Sequence, residues 1–120
     1  MQKLKVAVIG CGSIARNRHL KEYQNNDAVN IVAVCDIVEE RAVEMANEYD
    51  AKSYTSYEEL LENEELDAVS VCLPNYLHAP VSIAALNAGC HVLCEKPMAT
   101  SKEEAEDMIK AATTANKKLM

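Results

Sequence analysis

With 120 residues, nearly half of them apolar and 26% charged, the chain suits one soluble globular domain whose core needs no staple. A formal charge of −7 argues against a nucleic-acid partner, whose phosphates reward a basic face. No apolar run approaches the ~20 residues of a membrane helix and no signal-peptide pattern opens the chain, so the cytoplasm is the expected location.

Residues 6–9 form the first predicted strand and run directly into Gly10-Cys11-Gly12-Ser13-Ile14-Ala15. Gly10 permits a tight turn and Gly12 lets the backbone approach a pyrophosphate. Ala15, where a third glycine is common, still allows close helix–strand packing. The N–H groups of Ser13 and Ile14 then open a helix, where unpaired donors and the helix dipole favour an anion. On that helix His19, beside Arg16 and Arg18, reads as structural.

The second strand, 31–35, ends at Asp36, about 20 residues beyond the glycines, where a carboxylate can accept from both hydroxyls of a ribose. The competing role is a cap for the helix beginning near Glu39. The glycines favour the ribose. An acid there repels a 2′-phosphate, so NAD is expected over NADP, although Arg41 leaves room for the phosphorylated form. Methyltransferases that bind S-adenosylmethionine share the acid after the second strand. They have no pyrophosphate to cradle and no need for the compact glycine turn.

Ala42, Met45, Ala46 and Tyr49 mark the apolar stripe of the next helix. Lys52–Tyr54 is a weaker strand, and Ser56-x-x-Glu59 reads as a capping box. The strand 68–73 leads to Pro74-Asn75-Tyr76-Leu77-His78, where Pro74 forces a turn. Leu73, Pro74, Asn75 and His78 are placed over the crevice between the two halves of the sheet. His78 is equally well read as a cap or packing residue for the helix that Pro80 opens and Gly89 closes. That helix has its stripe at Val81, Ala84, Ala85 and Ala88.

His91–Cys94 is a further strand, in which His91 reads as a packed core residue. It ends at Glu95-Lys96-Pro97, an ionic pair at the point where a buried strand leaves its sheet. Ligands of open α/β sheets collect at such points. Lys96 can donate to a substrate hydroxyl, and partial desolvation would suit it to proton shuttling. Glu95 is read as its ion partner or as a contact to the nicotinamide ribose. Ser101-x-x-Glu104 caps a last helix, striped by Ala105, Met108, Ile109 and Ala112, and Lys118-Leu119-Met120 opens one more strand.

Strands rich in Val, Ile, Leu and Ala without polar alternation, separated by helices, predict βαβ units and a parallel sheet covered on both faces. Cys11, Cys35, Cys72, Cys90 and Cys94 are odd in number and lie mostly in apolar runs, which predicts free thiols. Cys90, His91 and Cys94 have no second ligand pair at finger spacing, so no metal is expected.

The residues Gly10-x-Gly12-x-x-Ala15, Asp36, the stretch from Leu73 to His78, and the block from Ala88 to Pro97 resemble the glucose–fructose oxidoreductase, inositol dehydrogenase and rhizopine catabolism family, written Gfo/Idh/MocA. The resemblance covers essentially the whole chain. It implies a Rossmann doubly wound sheet in three α-β-α layers within a two-domain, NAD(P)-dependent oxidoreductase of sugars, inositols or related polyols, commonly a homo-oligomer. It also implies that Lys96 contacts substrate and cofactor beside the nicotinamide. In that family a second α+β domain holds the substrate and supplies an Asp and a His, the latter as base. Those elements have no counterpart in these residues. The expectation is a fragment of a longer enzyme that binds dinucleotide without turnover. The alternative is a stand-alone NAD(P)-binding or sensor module in which Lys96 has no catalytic task.

Overall fold

The computed structural model describes residues 3–12, 14–96 and 98–120. Five parallel strands, β1 (Leu4–Ile9), β2 (Val29–Cys35), β3 (Lys52–Tyr54), β4 (Ala68–Val71) and β5 (His91–Cys94), lie in the order β3-β2-β1-β4-β5. The chain thus winds outward from β1 in one direction, then returns to build the other half beyond β4. The switch point falls between β1 and β4.

Both faces are covered, as the unalternating strand composition requires. Val6 and Val8 of β1 point into one core with Leu20, Met45 and Ala46. Ala7 and Ile9 point into the other with Leu60, Val81, Leu86 and Ala112. Helices α1 (Leu20–Gln24) and α2 (Glu39–Tyr49) cover the first face. Helices α3 (Tyr57–Asn63), α4 (His78–Asn87) and α5 (Lys102–Ala115) cover the second. A one-residue shift in the β1–β2 register, where Val6 pairs with Ile31 but Ala7 with Ala33, sends Ile31 to the first core and Ala33 to the second.

Helix ends follow the sequence signals. Ser56 and Ser101 accept from the backbone N–H groups of Glu59 and Glu104. Gly89, at φ +91°, closes α4 with bonds from its own N–H to Leu86 and from Cys90 to Ala85. Lys118-Leu119-Met120 pairs with β5 as expected, through Val92 N–H to Lys118 and Met120 N–H to Val92, both 2.9 Å. His91 is half-buried rather than a core residue, and its Nδ1 accepts from the Lys118 N–H at 2.9 Å.

Three further details differ from the sequence reading. The strand expected over 68–73 ends at Val71, although Cys72 N–H still bonds to Ile9 at 2.8 Å. On α4, Val81 and Ala85 are buried but Ala88 is exposed. Ser82 and Leu86 take its place because α4 lies between the sheet and α5 and is apolar nearly all round. On α5, Ile109 stays 54% exposed.

Candidate functional site

The crevice at the switch point is built by three chain segments leaving β1, β2 and β4. After Ile9, Gly10 takes φ +98° and its N–H donates to Cys35 at 2.7 Å. A Cβ at Gly10 would stand 2.5 Å from the carbonyl oxygen of Cys72, so the close approach of β1 and β4 demands glycine. Gly12 differs: a Cβ there would meet nothing within 4 Å. The fold itself has no need of that glycine. Its missing side chain leaves backbone open to a visitor. The helix begins at once, with Arg16 N–H bonded to Gly12 at 3.0 Å, and Ala15 is fully buried against the sheet. Arg16 also donates from Nε to the Cys11 carbonyl at 2.9 Å and pairs with Glu44 of α2 at 3.3 Å. Ser13 lies outside the described residues.

Asp36 stands at the exit of β2, 6% exposed. Its Oδ2 accepts from the Cys11 N–H and its Oδ1 from the Val38 N–H, both at 2.8 Å. It therefore clamps the glycine turn to β2 rather than capping α2 directly. A carboxylate offers about four acceptor positions, so lone pairs remain on both oxygens after these bonds. The Arg41 guanidinium approaches Oδ2 at 3.9 Å from the solvent side.

Beyond Cys72 and Leu73, Pro74 (φ −57°, ψ 151°) turns the chain into the short 3₁₀ turn Asn75–Leu77. His78 is 1% exposed and its Nε2 lies 2.7 Å from the Leu73 carbonyl. The packing reading of His78 is the one realised: it lies beneath the loop, holding Leu73 in place, and does not hang over the crevice. Asn75 is exposed on the loop. The crevice is lined instead by Leu73, Pro74, Tyr76 and Leu77, opposite Gly10, Gly12 and Ile14, with Asp36, Ile37, Val38 and Arg41 at one end. It encloses about 440 Å³. Tyr76, Ile37 and Val38 were not singled out from sequence, and only their position beside Pro74 and Asp36 could have marked them.

At the exit of β5, Glu95 N–H continues the ladder to Val71 at 3.1 Å. The Glu95 carboxylate does not pair with Lys96. Its Oε2 sits 3.2 Å from Nε2 of His19, which is buried on the glycine-motif helix. Lys96 is exposed, so the expected partial desolvation is not present among the described residues. Pro97 lies outside them. Beneath the crevice, burial pushes the thiols of Cys11, Cys35 and Cys72 up to about 12, with the Asp36 charge adding to the effect at Cys11. These thiols are all free and buried, and thiols held protonated in this way are poor nucleophiles.

The family described as an oxidoreductase family with an NAD-binding Rossmann fold matches residues 4–120. The chain is 38% identical over 117 residues to D-glucoside 3-dehydrogenase of Escherichia coli (strain K12), a match covering 97% of this chain and 33% of that protein. Among solved structures, the WlbA dehydrogenase of Chromobacterium violaceum, in complex with NADH and UDP-GlcNAcA, superposes with a TM-score of 0.96. The identity is 35%, over 100% of this chain and 35% of the other. A 3-ketoreductase of Actinomadura kijaniata, in complex with NADP and TDP-benzene, superposes at 0.94 with 34% identity, over 99% and 37% of the two chains. The chain spans about a third of the length of the curated relatives it matches.

Proposed function

The chain belongs to the Gfo/Idh/MocA oxidoreductase family, and from that premise we propose that residues 1–120 act as the NAD(P)-binding domain of a dehydrogenase for secondary alcohols of sugars or polyols. The observation that carries the reading is Gly12. It faces open space at the end of a clamped turn, beside a buried carboxylate that keeps acceptor positions free.

In this reading Gly10 shapes the turn, and Gly12, with the N–H groups of Ser13 and Ile14, receives a pyrophosphate. Asp36 accepts from the adenosine ribose, and Leu73, Pro74 and Asn75 border the far side of the crevice. His78 serves indirectly, by fixing Leu73. Glu95 and Lys96 stand at the nicotinamide end, with Lys96 donating a hydrogen bond to the substrate oxygen. Bound nicotinamide supplies the hydride acceptor.

NAD is favoured over NADP, because a 2′-phosphate would have to sit against the Asp36 carboxylate. Arg41 is the one basic group lining that end of the crevice among the described residues, and it marks where a 2′-phosphate would be tolerated. Five unpaired thiols suit a reducing compartment, which supports a cytoplasmic enzyme.

Calorimetric titration of the chain with NAD and NADP tests the reading. NAD should bind more tightly. Arg41→Ala should leave NAD nearly unchanged and weaken NADP severalfold, the scale of one exposed charge contact. Absence of binding to both cofactors would remove the assignment, and tighter NADP binding would reverse the cofactor preference.

A further inference from the structure

The helix after the glycine turn is not regular. Residues Ala15–His19 form a π-helical turn, in which Leu20 N–H reaches back to the Ala15 carbonyl. Such wide turns cluster at functional sites. Here the turn leaves two consecutive residues buried, Leu20 fully and His19 to 9% exposure. Leu20 enters the core under β1. His19 is left aimed at Glu95, 76 residues away in sequence and 3.2 Å away in space.

The imidazole is held from behind. The Tyr23 ring meets it edge-on, centroids 6.5 Å apart and planes at 73°, and the Tyr23 hydroxyl bonds to Ser70 in β4. An ionised carboxylate only accepts, so Nε2 of His19 carries the proton and donates. A buried donor on the helix that starts at the pyrophosphate position is thereby joined to the residue preceding Lys96.

The inference rests on the dinucleotide reading above. With Asp36 at the adenosine ribose and the glycine turn at the pyrophosphate, the nicotinamide half is directed across β1 to the exits of β4 and β5. We propose that His19 is a positioning residue for that half: by donating to Glu95 it fixes the Glu95-Lys96 segment relative to the glycine turn, so that the two ends of the dinucleotide meet one rigid frame.

The test compares two ligands that share the adenosine and pyrophosphate but differ in the nicotinamide half, NADH and ADP. His19→Leu and Glu95→Ala should each weaken NADH about tenfold, the scale of one charge-assisted hydrogen bond, while ADP binding stays within about twofold. His19→Gln, whose amide N–H can reach Glu95, should recover NADH binding. The double variant should be no weaker than either single one, as for two halves of a single contact. Equal weakening of both ligands would reveal a merely structural histidine and overturn the proposal, as would undiminished NADH binding. If His19→Leu does not fold, Glu95→Ala carries the same comparison, since that side chain is 30% exposed. Failure of the unaltered chain to bind either ligand would instead sink the dinucleotide reading itself, and the inference with it.

Discussion

The two ends of the crevice are held in different ways. At the β2 end the glycine turn is fixed from several sides: Asp36 takes two amides, Gly10 leaves no room for a Cβ beside Cys72, and Arg16 ties the turn to α2 through Glu44. At the β5 end Lys96 is exposed, and the one contact described for the Glu95 carboxylate is a single histidine. Preorganised groups bind without an ordering cost, whereas loosely held ones need a partner to define them. The β2 end is finished on folding. The lysine end is less defined among the described residues.

The sharpest way to break the contrast is Gly10→Ala. It forces a side chain to φ +98° and 2.5 Å from a backbone oxygen, and should cost about 3 kcal/mol or more from strain and overpacking together. Urea denaturation would show the shift, and an unchanged midpoint would mean that the β1–β4 approach is soft.

Alkali probes the same end. The thiols of Cys11, Cys35 and Cys72 are held up at about 12, against an ordinary 9.0. The unfolded chain releases these protons at lower pH than the folded one, so it binds fewer of them between the two values. Stability present below pH 9.0 should therefore fall progressively as pH rises toward about 12. Thermal melts through that window should show the decline, and Cys72→Ala should make it shallower.

Asp36→Ala strips the acceptor from a buried amide and should cost about 2 kcal/mol of stability, together with a tenfold or greater loss of NAD affinity. The smallest effect on stability, and the most diagnostic, belongs to Gly12→Ala. With open space around it, the new methyl should change stability by less than about 1 kcal/mol. Calorimetry should nonetheless show NAD binding falling roughly tenfold, because the methyl occupies room meant for the pyrophosphate. If stability drops instead, Gly12 serves the fold rather than a ligand.

Much of this was legible in the chain because it was local. Uniformly apolar strands announced a sheet buried on both sides, and Gly10 and Asp36 declared themselves by following strand ends. What escaped was whatever depended on distant partners. Nothing between Ala15 and His19 signals a wide helical turn, since one extra residue leaves no compositional trace. Glu95 read as the ion partner of Lys96 or as a contact to the nicotinamide ribose, yet neighbours at a strand exit point apart and the group that meets its carboxylate is His19, from the helix after the glycine turn. His78 looked equally suited to cap, core or site. Its burial was decided by how Pro74 folds the loop over it, which no periodicity records.

The shortness of β3 has a consequence for behaviour in concentrated solution. On the far side of the sheet, residues 118–120 already occupy the backbone groups of β5. On the near side only three residues present an unpaired edge, and they begin with Lys52, held by Glu64 at 3.6 Å. An edge so brief and charged gives a neighbouring chain little to copy at β3.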